Sequence, residues 1–496
     1  MARSRYRFRR YNGRVSRFYI ENFGCRATQA DGAAIERQLL ETGFQRADEA
    51  SHAEVAVLNT CTVTSAADSD ARAAIRRIHR QNPDCRILVT GCYAQRAPQE
   101  IRALPGVSWV VGNSHKHQVA SIASTGSPSP TENFVPLAAI SPANDQRPTT
   151  NDALPANDLR PTTNDAFAPD GVFVSDIFAH TELLAAPVFE ADLASEKTRP
   201  NLKVQDGCDN RCSFCVIPYV RGQSRSLPLG QVLSEVDALV AAGYRELVLS
   251  GINLGRWGRD LDGEEPTADG RWRVEDLILA ILDRTSLEKL RISSVEPMDW
   301  SDELIALVAA SPRIARHAHV PLQSGSDRVL RLMHRKYRPW HYAEKLRKIR
   351  AATPTAAIGA DVMVGFPGET DSDFDETRRF IEDLPFTYLQ VFTFSARPGT
   401  PAATMPGQVP APVMRERNRV LRELGARKNH AFRESFVGKT LAAITLSRGG
   451  ADEHGPYTEA LTDNYLRLRL AGEQEANRWV EVRVEAVTAD GLRGSC

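Results

Sequence analysis

Across residues 200–435 short apolar runs alternate with amphipathic ones, and this alternation restricts the fold more than anything else in the 496-residue chain. The runs at 202–205, 246–250, 290–294, 317–321, 358–364 and 388–394 have the length and composition of buried strands. Helical spacing fills the intervals, for example at 233–241, 304–309 and 374–382. Strands separated by helices pair in parallel. Six such units predict an incomplete (βα)6 barrel, whose chemistry belongs at the carboxyl ends of its strands. Distinctive strings fall at those ends: Gly251-Ile-Asn-Leu-Gly255, Val295-Glu296-Pro297, Leu322-Gln323-Ser324-Gly325 and Phe366-Pro367-Gly368-Glu369.

Residues 17–120 form a second alternating unit, so the overall class is α/β. Strand-like runs at 17–22, 55–58 and 87–90 lead into Cys25, Cys61 and Cys92, with helical stretches at 33–42 and 70–80. Ligands collect at the carboxyl edge of an open parallel sheet, so cysteines far apart in sequence can converge there. Residues 121–196 differ in kind. They are rich in Pro, Thr, Asn and Asp and contain a near-repeat, 142–153 and 155–166. Such composition buries too little apolar area to offset chain entropy, which predicts a low-complexity linker. The barrel domain is then 197–435. From 436 to 496, short alternating runs such as 465–470 and 479–484 predict a small antiparallel β-barrel.

The formal net charge of zero conceals an uneven distribution. Residues 121–196 hold eleven acids against Arg147 and Arg160, a net of −9, so the remainder carries +9. That excess is compatible with a nucleic-acid partner. The first seventeen residues contain seven arginines and no acid, which reads as a tail or an RNA-contacting arm. No apolar run is long enough to span a membrane, and no secretory h-region follows the early charges. These features predict a cytoplasmic protein.

Without an export signal the eight cysteines point to metal or redox chemistry rather than disulfides. The densest group is Cys208-Asp-Asn-Arg-Cys212-Ser-Phe-Cys215. Cubane clusters are held by thiolates, usually four. Three in one loop leave one iron open to a chelating small molecule. A structural zinc site asks for four protein ligands, and no fourth Cys or His lies nearby in sequence. The competing non-enzymatic reading is a zinc-containing RNA-binding protein.

The run from Cys208 to Cys215 resembles the cluster motif of radical S-adenosylmethionine enzymes. Gly24-Cys25, Asn59-Thr60-Cys61-Thr62-Val63-Thr64 and Thr90-Gly91-Cys92-Tyr93-Ala94-Gln95 are similar to the three cysteine motifs of the methylthiotransferase amino-terminal domain. The resemblance implies two [4Fe–4S] clusters, one on Cys208, Cys212 and Cys215 and an auxiliary one on Cys25, Cys61 and Cys92. It also implies that one S-adenosylmethionine supplies a methyl group and a second supplies a 5′-deoxyadenosyl radical. That chemistry belongs to the cofactor, while the protein supplies position and exclusion of water. Members of the family act on adenosines beside the tRNA anticodon or on an aspartate of a ribosomal protein. The strings NTCTVT at 59–64, IPYVRGQSRS at 217–226 and SSVEP at 293–297, with Arg26 after Cys25, resemble the branch acting on N6-threonylcarbamoyladenosine. The isopentenyladenosine branch is the runner-up. Thr28 departs from the Asn often found three residues after the first cysteine.

By the same resemblance tRNA is a partner, a flavodoxin- or ferredoxin-type protein donates electrons, and the C-terminal barrel is similar to the RNA-binding TRAM domain. Gly251 and Gly255 are expected to let the backbone approach S-adenosylmethionine. Glu296 is expected to hydrogen-bond it, with Gln323 and Ser324 in its pocket. Arg221 and Arg225 are candidate RNA contacts, with a structural ion pair as the alternative. Residues 328–350 carry nine Lys and Arg against Glu344, and 415–434 seven against three acids. Around a barrel mouth such faces can position RNA. Tyr457, Tyr465 and Trp479 are candidates for stacking on unpaired bases. Cys85 and Cys496 match nothing.

Overall fold

Val55, Ala56, Val57 and Leu58 are wholly buried, as are Ile87, Leu88 and Val89. Runs without polar alternation persist where helices cover both faces of a parallel sheet. The computed structural model describes residues 16–125, 171–180, 198–261 and 271–496. The arginine-rich start, the near-repeat and most of the stretch read as linker lie outside these residues. The chain divides into two units, Met1–Leu184 with Tyr219–Gly222, and Ala185–Pro218 with Gln223–Cys496.

The first unit is built on β1 (Arg17–Asn22), β2 (Gln45–Arg46), β3 (Val55–Thr60), β4 (Arg86–Gly91), β5 (Val107–Val111) and β6 (Val172–Phe173), all paired in parallel in the order β2-β1-β3-β4-β5-β6. Helix α1 (Arg26–Glu41) follows β1, α2 (Ser65–Gln81) follows β3 and the short α3 (Cys92–Arg96) follows β4. Side chains alternate along β3. Val55 and Val57 pack with Ile35 and Leu39 of α1, whereas Ala56 and Leu58 pack with Ala71, Ile75 and Ile78 of α2. Truncating a leucine in such a core costs about 2–5 kcal/mol. Both long helices begin earlier than the amphipathic pattern predicts. The Thr64 side chain accepts from Ala67 N at 3.2 Å and caps α2. Two parts of the stretch read as linker carry structure: a helix runs over Val119–Thr125, and β6 adds the sheet's last strand, with Val174 and Ile177 buried.

In the second unit, β7 (Asn201–Asp206), β9 (Glu246–Gly251), β10 (Lys289–Ile292), β11 (His317–His319), β12 (Ala357–Val364) and β13 (Tyr388–Thr393) correspond to the six expected strands. A seventh, β8 (Arg225–Ser226), pairs antiparallel with β7. Parallel bridges Leu290–Ile314 and Ser294–His319 carry the curvature from β10 to β11, giving an open parallel barrel.

Strands β14 (Thr440–Asp452), β15 (Gly455–Thr462), β16 (Arg467–Ala471), β17 (Trp479–Val487) and β18 (Leu492–Ser495) close a small barrel in the order β14-β15-β16-β18-β17. It is antiparallel except where β16 meets β18 in parallel, which corrects the fully antiparallel expectation. A closed ring of five strands cannot alternate direction all the way round. The small barrel docks on the amino ends of the large barrel's strands, away from their carboxyl ends. Asn477 Nδ2 donates to Gly243 O at 2.8 Å and Asn464 Nδ2 to Thr355 O at 3.1 Å. The Tyr465 ring lies 4.6 Å from that of His317 and 6.1 Å from that of Tyr388. Lys289 Nζ lies 5.1 Å from the Trp479 ring. Among the described residues, no helix is long and apolar enough to cross a membrane.

Candidate metal centres

Cys25, Cys61 and Cys92 stand just beyond the carboxyl ends of β1, β3 and β4, three adjacent strands. Parallel register therefore brings together residues that lie far apart in sequence. Cys25 forms the N-cap of α1 and Cys92 opens α3. Asn59 ties the edge together, its Nδ2 donating to Asn22 Oδ1 at 3.0 Å and to Thr28 O at 2.7 Å. Beyond Cys61, Thr62 Oγ1 donates to Asp68 at 2.6 Å, and Arg96 reaches both residues at 2.8 and 2.9 Å. Gly24 permits the close approach of the first two thiols. Its φ is +99°, and a Cβ there would lie 2.5 Å from Cys61 Cβ.

Burial, then the charge of Cys92, pushes the Cys61 thiol up to about 12. Sulfur partners are in place: Val63 N at 3.5 Å from Cys61, Asn113 Nδ2 at 3.5 Å from Cys92 and Thr28 Oγ1 at 3.5 Å from Cys25. Sequence reasoning missed Asn113, and Thr28 shows that the departure from the family's Asn still leaves a polar partner for the first sulfur. Cys85 is buried in the apolar core, where burial pushes its thiol up to about 11.

The loop after β7 carries Cys208, Cys212 and Cys215. Gln205 braces it: Nε2 donates to Gly207 O at 2.9 Å and Oε1 accepts from Asn253 N at 2.7 Å. Ser213 Oγ donates to Leu332 O at 2.8 Å. Asn210 N and Asn253 Nδ2 approach Cys208 Sγ at 3.4 and 3.7 Å, and Arg335 Nη1 approaches Cys212 Sγ at 3.2 Å. Burial pushes Cys208 up to about 11 and Cys215 up to about 12, the neighbouring thiols adding to both shifts.

Thiols held this high are neutral near pH 7, and iron would displace their protons on binding. Among the described residues, no three or more His, Cys, Asp or Glu side chains close on a single metal ion. A cubane asks instead for thiolates that each hold a separate iron. An all-sulfur donor set with N–H groups aimed at the sulfurs fits that group.

Other expected site residues have different surroundings. A Cβ on Gly255 would meet Asp299 Cβ at 2.4 Å, and one on Gly251 would meet Gln205 Oε1 at 2.9 Å. Both glycines admit neighbouring protein side chains at distances a side chain of their own would not allow. Glu296 is paired with Arg335 Nη2. Ser324 is wholly buried, its hydroxyl 3.1 Å from Thr377 Oγ1 and accepting from Ser326 N at 3.2 Å. It shapes the loop from within instead of lining a pocket. Gln323 sits at φ +64°, its carbonyl accepting from Met363 N at 2.9 Å.

Arg221 is buried, Nη2 lying 3.0 Å from Asp31 Oδ2, so the ion-pair alternative replaces RNA contact. Arg225 is half-buried on β8. The basic helices spend much charge internally: Arg328 pairs with Asp373, Lys348 with Asp302, and Arg417 with Glu369 and Asp371. Tyr465 and Trp479 are committed to docking the small barrel, and Tyr457 lies 5.0 Å beneath Arg469. Arg335 and Asn253 went unnoticed in the sequence, because nothing in their spacing ties them to the cysteine loop.

Residues 17–112 match the uncharacterized protein family UPF0004, and residues 202–381 match the Radical SAM superfamily. Among solved structures, TsrM from Kitasatospora setae, a radical S-adenosylmethionine methyltransferase with tryptophan and a SAM analog bound, shares the fold. Its TM-score is 0.51 at 15% identity, over 79% of this chain and 75% of that one. The matched Radical SAM domain makes the chain a radical S-adenosylmethionine enzyme, a class that uses an iron–sulfur cluster and S-adenosylmethionine. Over 92% of its length, and 90% of the relative's, the chain is 34% identical to the Bacillus subtilis threonylcarbamoyladenosine tRNA methylthiotransferase MtaB. It is 32% identical to the protein of the same name from Aquifex aeolicus, over 94% of this chain and 99% of that one. It is also 32% identical to the tRNA-2-methylthio-N(6)-dimethylallyladenosine synthase of Thermobifida fusca, over 94% of this chain and 83% of that one. The chain belongs to the radical SAM methylthiotransferase family and is MtaB-like.

Proposed function

We propose that the chain inserts a methylthio group at carbon 2 of N6-threonylcarbamoyladenosine at position 37 of tRNA, using two [4Fe–4S] clusters. The observation that carries this reading is the pair of cysteine trios at strand carboxyl ends, one in each unit. The relatives named for threonylcarbamoyladenosine and the matching strings around Cys61 and Glu296 support the substrate. The hydrogen on carbon 2 of adenine is neither acidic nor a leaving group, so acid–base side chains have no purchase on it. A cluster at Cys208, Cys212 and Cys215 would supply the electron that cleaves S-adenosylmethionine to a 5′-deoxyadenosyl radical. The protein's own part is to hold six thiols at two rigid strand edges, to aim N–H donors at them and to keep water from the radical.

Cys25, Cys61 and Cys92 would hold the auxiliary cluster. Arg225 remains the candidate RNA contact, and a flavodoxin- or ferredoxin-type donor in the cytoplasm would supply the electron. Dimethylallyladenosine is the second reading, because curated relatives with that name match the chain at similar identity.

Nucleoside mass spectrometry of tRNA from a deletion strain tests the substrate. Loss of the methylthio form of threonylcarbamoyladenosine is expected. Loss of the dimethylallyl form would move the chain to the other branch, and unchanged tRNA would favour the ribosomal-protein aspartate. Anaerobically purified protein should carry about eight irons. Cys212→Ala should abolish all turnover. Cys92→Ala should still form 5′-deoxyadenosine without methylthiolated product. Product from the Cys92 variant would sink the two-cluster scheme.

A further inference from the structure

Arg335 lies 123 residues from Cys212 in sequence, yet its Nη1 stands 3.2 Å from Cys212 Sγ. Its other edge is taken as well: Nη2 pairs with Glu296 Oε2, and Nε donates to the Tyr337 hydroxyl at 3.3 Å. The guanidinium carbon sits 4.9 Å from the Tyr337 ring centroid. Tyr337 is itself fixed, its hydroxyl donating to Leu322 O at 2.5 Å with Pro321 O at 3.1 Å sharing the same proton. Arg335 is 7% exposed and Tyr337 1%. A planar fork with each edge assigned cannot swing aside, and Arg keeps its charge under all ordinary conditions.

We propose that Arg335 is a positioning residue that sets the redox poise of the cluster held by Cys208, Cys212 and Cys215, with Glu296 as its counterweight. The inference rests on the reading that these three thiolates hold a cluster. One electron enters that cluster from the low-potential flavodoxin- or ferredoxin-type donor, and no bond changes in the step. The cluster becomes more negative by one charge. A buried cation hydrogen-bonded to a ligand sulfur stabilises the reduced form more than the oxidised one, and hydrogen bonds to sulfur tune cluster potentials in the same direction. The guanidinium stands between two anions, the thiolate on one edge and the Glu296 carboxylate on the other. Removing Arg335 and removing the charge of Glu296 therefore shift the poise with opposite sign. Without Arg335 the reduced state loses its cation. Without the charge of Glu296 the cation acts on the sulfur undiluted.

The test is an EPR-monitored redox titration of the full-length reconstituted protein, following the reduced-cluster signal that changes on adding S-adenosylmethionine. Arg335→Gln should lower the reduced-to-oxidised ratio at a fixed potential about tenfold, which is 59 mV for a one-electron couple. Arg335→Lys, which keeps the charge, should stay within about threefold of the parent. Glu296→Gln should raise the ratio several-fold. An Arg335→Gln ratio within about twofold of the parent overturns the inference, as do shifts of the same sign in Arg335→Gln and Glu296→Gln. If Arg335→Gln does not fold, Glu296→Gln alone decides, because an unchanged or lowered ratio there contradicts the counterweight. Absence of any signal responsive to S-adenosylmethionine in the parent protein would instead remove the underlying cluster assignment.

Discussion

Replacing Gly24 by Ala measures how tightly the amino-terminal edge holds its first two thiols together. Gly24 has φ +99°, a backbone conformation that strains an L residue by about 1–3 kcal/mol. The new Cβ would lie 2.5 Å from Cys61 Cβ and 2.8 Å from Cys61 Sγ, well inside the ~3.5–4.0 Å at which carbon contacts are favourable. Cys61 Cβ is one bond from the backbone, and the residue is 4% exposed, so neither atom can swing into open space. Overpacking of this kind costs about 1–3 kcal/mol. The two effects together predict a loss of about 2–6 kcal/mol for the amino-terminal unit, the lower figure applying if Cys61 moves. Any such movement displaces a ligand sulfur. Urea unfolding of the apoprotein should show the unfolding of the amino-terminal unit shifted to lower denaturant. Anaerobic reconstitution should leave about four irons of eight, with the signal responsive to S-adenosylmethionine retained. Parent-like stability with full iron would refute the argument, since it would mean that the edge tolerates a side chain where the geometry denies one.

Three further predictions follow from other contacts. The Cys61 thiol, pushed from 9.0 to about 12 by burial and by Cys92, should alkylate in the folded apoprotein at pH 8 about a thousandfold more slowly than an ordinary thiol, because thiolate is the reacting form. Its folded value lies above its unfolded one, so its contribution to stability is complete below pH 9 and is lost as pH rises toward 12. Apoprotein melting temperatures between pH 8 and 11 check the sign, and Cys61→Ser should flatten the alkaline fall. Arg417→Ala strands Glu369, whose Oε2 lies 2.7 Å from Arg417 Nη1 and whose side chain is 1% exposed. The expected cost is about 3–5 kcal/mol in denaturant midpoints, with partial recovery in an Arg417→Met, Glu369→Gln double variant. Tyr465→Ala removes the ring that meets His317, Tyr388 and the Arg291 guanidinium at 5.3 Å. The small barrel should loosen by about 2 kcal/mol, visible as faster amide exchange in β14 and β17, and an unchanged exchange pattern would dissociate the ring from docking.

Chain order, strand position and the side of the sheet on which the cysteines fall were legible from local pattern. The six large-barrel strands and the cysteine positions after β1, β3, β4 and β7 follow from apolar runs a few residues long, and such runs encode their own burial. The contributions of β2, β6 and β8 were not legible, and β5 (Val107–Val111) went unread although it is an apolar run like its neighbours. Two-residue strands have no periodicity, and they exist only because a neighbouring edge offers unpaired backbone groups. The opening turn of α1 was hidden for a related reason: Thr28 and Asp31 are polar yet buried.

By itself the sequence determined which residues could be ligands, because thiol chemistry belongs to the side chain wherever it lies. It also determined that those thiols would end strands, because hydrophobic period and length set strands locally. Only the tertiary structure decided what surrounds them. Arg335 reaches Cys212 and Asn113 reaches Cys92 across 123 and 21 residues. Gly251 and Gly255 admit Gln205 and Asp299, and Arg221 turns inward to Asp31. Hydrogen bonds and ion pairs act over a few ångströms of space, and separation along the chain carries no information about that distance until the sheets and helices have packed.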